Sequence, residues 1–514
     1  MHQLRLASLA LAGAVALSAC ADDPTRPAAP GADPGLSTLP AENAGTQLVV
    51  FATRSIPADF AARVASLGGT VEQALAPIGV AFVSGLDDAG RQALGADAAV
   101  SFVEAEPVLP LSEPVMTQEL TGMEELTGAE AEPLSPAEPG KATYHYLQWH
   151  LRQVGAPRAW AAGKLGSPNV TVGIIDTGLD YTHRDLAGLV DIGRSRSFLP
   201  TEDAVVAKYL PAGTHPMFDL QGHGTHVGST VASNGIIAAG VTSRVKLVGL
   251  KVCRSGIAGL TSTGCPASAT FAALVYAADN GIDVVNMSLG GLFTRRGSGG
   301  YEETVNRVFN YAKEKKLTVV VSAGNDNVDL DRGLVPTAVY DSTGQQTGTR
   351  LVQYTSLYAT YCSSTHTICV SATGPASAAN SQSGPWFDID SRAGYSNFGR
   401  DGIDVAGPGG TGAGFVWAAC PTRRVVRTSA AGVTPATYAG RTDTYCVSFP
   451  TGKAGTSMAA PHVAALAALM VEKYGKNPDR VSEAVAKFSD DLGEPGHDPY
   501  YGKGRINVAR ALGL

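Results

Sequence analysis

Four polar side chains stand where glycine-punctuated or apolar stretches end. Asp176 closes Val172-Gly173-Ile174-Ile175, and His223 lies in Gly222-His223-Gly224-Thr225-His226-Val227. Asn325 ends Ser322-Ala323-Gly324-Asn325, and Ser457 lies in Gly455-Thr456-Ser457-Met458-Ala459-Ala460-Pro461-His462. In open α/β sheets, sites form beyond the strand ends. A hydroxyl nucleophile, an imidazole base, a carboxylate to orient it and an amide donor are what acyl transfer to serine needs.

Ser457 is the pivot. From Met458 to Val471 the only polar side chain is His462. A helix apolar all round is a buried one. This one is shorter than the ~18 apolar residues a bilayer span takes. Pro461 fits a first turn, whose N–H groups have no partner anyway, so the helix is predicted to start near Ser457. Its free N–H donors and positive dipole end would sit beside the hydroxyl. On this stretch alone, Ser457 reads equally well as a helix cap.

The elements that must position these groups begin at Tyr144. Strands are predicted over Val170–Ile175, Val245–Val252, Ile282–Met287 and Leu317–Ser322, and helices over Thr270–Asn280 and Tyr301–Lys315. Uniformly apolar strands alternating with helices imply an α/β fold: a mostly parallel central sheet with helices on both faces. A small unit precedes it over 46–111. Strands are expected at Gln47–Phe51, Val80–Val83 and Val100–Glu104, and helices at Ile56–Leu67 and Asp88–Leu94. This β-α-β-α-β pattern implies a small α+β sandwich.

Between them, residues 112–143 read as a disordered, protease-sensitive linker. Residues 112–140 hold seven Glu and no Lys or Arg, and Glu-Leu-Thr-Gly occurs twice. Their charge equals the net −7 of the whole chain, so the acidity belongs to the linker and says nothing about a partner. No basic patch is present, which argues against nucleic acid.

At the N-terminus, Arg5 and the apolar run Leu6–Leu17 precede Leu17-Ser18-Ala19-Cys20, the pattern of an export signal. That tetrapeptide resembles a bacterial lipoprotein box, with Cys20 lipidated; an ordinary signal peptide is the alternative. Residues 1–20 are thus read as signal and 21–45, rich in Pro, Ala, Asp and Gly, as a flexible tether. Six further cysteines in an exported chain point to disulfides. Near neighbours suggest Cys253–Cys265, Cys362–Cys369 and Cys420–Cys446; a zinc site is the alternative, but no Cys-x-x-Cys is present.

Rival motifs carry less. Asp176-Thr177-Gly178 has no second copy to form a carboxylate dyad. His223-x-x-His226 lacks the Glu of a zinc helix. Gly452-Lys453 lacks the earlier glycine of a phosphate loop.

The motifs together resemble the subtilisin-like serine proteases, the subtilase or S8 family, whose chain order is also Asp, His, Ser. The matching segments are Val172 to Gly178, Gly222 to Val227, Asn286-Met287-Ser288-Leu289-Gly290-Gly291, Ser322 to Asn325 and Gly455 to His462, within about 150–514. The resemblance implies a serine endopeptidase over 144–514, acting on proteins or peptides through an acyl-enzyme, with Ser457 as nucleophile, His223 as base, Asp176 as its orienting carboxylate and Asn325 as oxyanion donor. Ser288, Leu289 and Gly290, with Ser255 and Gly256, would grip an extended peptide. His226 and His462 would be structural. The alternative is a catalytically inactive, peptide-binding relative. No cofactor is implied for the chemistry. Structural calcium is a further possibility, with Asp185 as a ligand, although the loop between Val231 and Val245 is shorter than the family's calcium loop and a carboxylate at a helix start explains Asp185 as well. The unit at 46–111 resembles the family's inhibitor I9-like propeptide, so a self-processing zymogen is expected. The precursor would be lipid-anchored at a bacterial membrane and the mature enzyme, a monomer, periplasmic or extracellular. Residues 326–365 and 411–450 read as insertions.

Overall fold

The computed structural model describes the chain except residues 1–44, 112–113, 121–137, 258–260, 295–297, 341–344, 355–356, 360, 424, 428–437 and 440–447. The small unit comprises β1 (Gln47–Phe51), α1 (Phe60–Ser66), β2 (Thr70–Leu75), β3 (Val80–Ser84), α2 (Asp88–Gly95) and β4 (Val100–Ala105). Its sheet is antiparallel in the order β2-β3-β1-β4. The expected pattern therefore lacked one strand. β2, Thr-Val-Glu-Gln-Ala-Leu, alternates exposed and half-buried residues and has no apolar run to announce it.

Both faces of this sheet are covered. Val49, Phe51, Ala81 and Val83 pack on its own helices. Leu48, Val50, Val80 and Phe82 join the core of the large domain instead. Successive strand residues point to opposite faces, so the continuous apolar runs of β1 and β3 are the sequence mark of a sheet that docks.

In the large domain the parallel strands are β7 (Thr171–Asp176), β8 (Arg196–Ser197), β9 (Lys246–Lys251), β11 (Val284–Met287), β12 (Thr318–Ser322), β13 (Thr367–Gly374) and β15 (Val405–Pro408). The order is β14-β13-β12-β11-β7-β9-β8, where β14 (Ser391–Arg392) is antiparallel and β15 also pairs with β13. Alternation sorts the side chains into two layers. Val248, Leu250, Val285, Met287, Val319 and Val321 face α4 (Ala267–Asp279) and α5 (Gly299–Glu314). Val172, Ile174, Leu247, Val284 and Val320 face α3 (His223–Val231), α6 (Thr456–Tyr474) and α7 (Pro478–Lys487). The α/β expectation thus holds.

The small unit sits on α4 and α5 and caps both. The Glu104 carboxylate accepts the N–H groups of Gly300 (2.7 Å) and Tyr301 (3.1 Å) at the start of α5. Glu106 accepts the Ser268 N–H (2.9 Å) and the Pro107 carbonyl accepts that of Ala267 (2.9 Å), at the start of α4. Helix N-termini leave such donors unpaired, and a carboxylate satisfies them with charge of the favourable sign. Arg307 Nη1 donates to the carbonyl of Ile78 (3.2 Å), and Arg54 pairs with Glu314 (3.0 Å).

At the end of the unit, Val108–Leu109 form β5, and in the stretch read as linker the described residues include a strand that was not expected, β6 (Met116–Gln118). Residues 112–113 and 121–137 of that stretch lie outside the described residues. Among the described residues, no helix is long and apolar enough to cross a membrane.

Candidate active site

Asp176 ends β7, and His223 is the first residue of α3. His223 Nδ1 lies 2.8 Å from Asp176 Oδ1 and 3.0 Å from Oδ2, with both side chains fully buried. An ionised carboxylate only accepts, so Nδ1 carries the proton and Nε2 is left with a lone pair. That Nε2 is buried with no hydrogen-bond partner among the described residues.

Two devices hold α3 against the end of β7. Gly224 approaches so closely that a Cβ there would lie 2.1 Å from the Gly178 carbonyl oxygen; only glycine fits. Asp219, fully buried, accepts from the Thr177 hydroxyl (2.9 Å) on one side. On the other it accepts the N–H groups of Gln221, Gly222 and Thr225 and the Thr225 hydroxyl, at 2.7–2.9 Å. Sequence reasoning passed over Asp219. Its signal was a carboxylate four residues before His223, at the mouth of a helix.

Ser457 is the second residue of α6. Its Oγ donates to the Ser288 carbonyl at 3.3 Å, and the Ser288 hydroxyl donates to the Ser457 carbonyl at 2.8 Å. Pro461 explains the second bond. It lies past the first turn, in the helix interior, which corrects the sequence expectation. Four residues after Ser457, it has no N–H to give that carbonyl, and the Ser288 hydroxyl takes its place. Asn325 follows β12. Its Oδ1 accepts from the Thr456 N–H (2.9 Å) and hydroxyl (2.8 Å), which fixes its amide and commits the oxygen end away from any developing anion.

The other predicted histidines are structural in their contacts. His226 Nε2 donates to the carbonyls of Val416 (3.0 Å) and Thr451 (3.2 Å). His462 Nδ1 donates to the Met458 carbonyl (2.8 Å). Burial pushes His226 well below its ordinary value and His462 down to about 4, so both are neutral.

The groove beside Ser457 is lined by the protein's own chain. Leu109 and Val108 lie antiparallel to Cys265 and Pro266 of β10 (Thr263–Pro266). Leu111 bridges Leu289, between Ser288 and Gly290. Past Ser457, the Val115 N–H donates to the Ala454 carbonyl (2.8 Å), and β6 pairs antiparallel with β17 (Thr451–Ala454). Chain therefore lies extended on both sides of the serine.

Two expectations need correction. Ser255 and Gly256 are not the edge that meets an extended chain. Ser255 is on the outer strand of a hairpin, paired with Thr263, and its N–H and hydroxyl are tied to Glu202 (2.9 and 3.0 Å). The Cys253–Cys265 disulfide closes the hairpin, and its second strand is the one that pairs with Val108 and Leu109. Nor does Asp185 suit a cation or cap a helix. Its fully buried carboxylate accepts the N–H groups of Ile236, Ile237 and Ala238 at 2.8–2.9 Å, so the shortened loop fills the carboxylate with its own donors. Cys362–Cys369 forms as expected. Cys20 and Cys446, and with Cys446 the third expected pair, lie outside the described residues.

The Subtilase family model matches residues 167–504, most of the chain. The chain belongs to the subtilase family. Among curated relatives, it is 28% identical to the thermophilic serine proteinase of Bacillus sp. (strain AK1) over 377 residues, 73% of this chain and 69% of that one. It is 29% identical to subtilisin E of Bacillus subtilis (strain 168) over 373 residues, 71% of each. Of solved structures, the epidermin leader peptide processing serine protease of Staphylococcus aureus superposes with a TM-score of 0.63 at 20% identity, covering 91% of this chain and 97% of that one. Like its subtilisin relatives, this subtilase is a serine-type endopeptidase, a hydrolase whose substrates are proteins.

Proposed function

We propose that this subtilase works through Ser457, His223, Asp176 and Asn325 and is made as a zymogen that cuts itself. His223 Nε2 takes the Ser457 proton as Oγ attacks the scissile carbonyl, then returns it to the leaving amine. Asp176 holds the tautomer and stabilises the imidazolium. The Asn325 amide and the Ser457 backbone N–H, at the start of α6, receive the oxyanion.

The observation that carries the zymogen reading is the chain itself, paired to Leu289 before Ser457 and to Ala454 after it. Peptides bind such edges by strand addition. The first cut is therefore assigned to the stretch between Leu111 and Val115, upstream of most of the acidic linker. The capping of α4 and α5 by Glu106 and Glu104 supports the unit at 46–111 as a propeptide that templates and then blocks the domain. If Cys20 bears lipid, that cut separates the enzyme from its anchor, and the mature form is released from the membrane. Membrane fractionation tests this. Wild type should give a shorter soluble form and Ser457→Ala a full-length membrane-bound one. An active enzyme that stays full-length at the membrane would refute it.

A further inference from the structure

Most of the groove upstream of Ser457 is formed by β10 and Ser288–Gly290; the surface downstream of it is built differently. There β17 is the centre of a three-stranded sheet, with β16 (Val416–Ala418) on one edge and β6 on the other. β6 pairs over Met116–Ala454, Thr117–Lys453 and Gln118–Gly452. The Thr451 hydroxyl adds a bond to the Gln118 carbonyl at 3.3 Å. From 114 to 120 burial alternates without a break: Pro114, Met116, Gln118 and Leu120 are half-buried, while Val115, Thr117 and Glu119 are exposed. That is the period of a strand laid on a surface. Met116 and Leu120 pack on an apolar cluster that includes Phe415, Trp417, Tyr144 and Leu147, and a Cβ on Gly412 would lie 3.4 Å from the Met116 sulfur.

We propose that β17 and this cluster form an extended primed-side subsite, which reads an apolar side chain at the position of Met116 and another at Leu120, and that residues 114–120 keep it filled after the first cut. The inference rests on Ser457 being the nucleophile, and the cut between Leu111 and Val115. That cut frees the segment's upstream end only. Its downstream end stays covalently joined to the catalytic domain, so its rebinding is intramolecular, at an effective concentration on the order of 1 mM. The severed propeptide can diffuse away, but this segment cannot. Full activity on long substrates then needs a second cut, within 121–137.

The test uses the self-processed enzyme with a recognition sequence for an unrelated protease inserted in 121–137. Three substrates share one upstream sequence: a p-nitroanilide, a peptide that ends before the position of Met116, and a peptide that continues beyond the scissile bond with the chain's own residues from the mapped first cut through Leu120. Before trimming, the two peptides should be cleaved with similar kcat/KM. After trimming, the long peptide should gain at least ~10-fold through KM, and the p-nitroanilide should not change. Met116→Asp should give the same gain without trimming. A long peptide no better than the short one after trimming overturns the proposal, as does an equal rise for the p-nitroanilide. Turnover of the p-nitroanilide, and its loss in Ser457→Ala, reports separately on the catalytic reading.

Discussion

Beneath the active-site helix two buried imidazoles form a chain with no room for another proton. The Trp417 N–H donates to His150 Nε2 at 3.3 Å, His150 Nδ1 donates to His462 Nε2 at 2.8 Å, and His462 Nδ1 donates to the Met458 carbonyl at 2.8 Å. A proton added at either Nε2 would face an existing donor. Burial holds His462 down to about 4, and burial and then the neighbouring His462 hold His150 well below its ordinary value; His226, Arg152 and His145 push His150 the same way. Between ~6.5 and 4 the unfolded chain binds a proton that the folded one excludes. Stability is therefore whole above ~6.5 and lost as pH falls toward 4, by about 2 to 3 kcal/mol from His462 alone. The assay is urea unfolding of Ser457→Ala protein, which cannot digest itself, at pH 7 and pH 4.5. The same measurement on Ser457→Ala/His462→Asn removes the titrating group and subtracts the carboxylates common to both. The parent should lose about 2 to 3 kcal/mol more than the double variant across that interval. An equal loss in both proteins would mean that His462 does not exclude a proton in the folded state.

Other outcomes follow from the same contacts. Asn325→Ala should leave KM nearly unchanged and lower kcat by ~10²–10³, the usual effect of losing one oxyanion donor; steady-state kinetics check it. Asp219→Ala should lower kcat and loosen the start of α3, since five donors lose their acceptor; hydrogen exchange at Gln221–Thr225 reads the loosening. Glu104→Ala with Glu106→Ala removes two helix caps worth about 2 kcal/mol together, so the severed propeptide should dissociate ~30-fold more readily. That appears as a shorter lag before activity after self-cleavage. A chelator should leave the thermal midpoint unchanged where the loop 233–240 is concerned, because Asp185 is filled by N–H groups; a fall traced to that loop by hydrogen exchange would contradict this.

The α/β sheet was legible because its strands are apolar without interruption, which only burial on both faces explains. The four chemical residues were legible because each sits at a strand end or helix start. Other features were hidden by their physics. β2 alternates like a surface strand and has little hydrophobic weight. Ser255 does not form the groove edge because the hairpin's second strand, not its first, pairs with Val108 and Leu109. Asp219 and Asp185 act through backbone donors that come together only on folding. Residues 115–118 looked like the start of an acidic linker; what makes them a strand is the edge of β17, hundreds of residues away.

The most direct test is the intact mass and N-terminal sequence of purified wild type beside Ser457→Ala. Wild type should show a new N-terminus between residues 112 and 115, with or without later trimming in 121–137, and the variant an unsevered chain through 107–120. A first cut elsewhere, or the same cut in Ser457→Ala, would contradict the claim that the chain crossing the groove is the enzyme's first substrate.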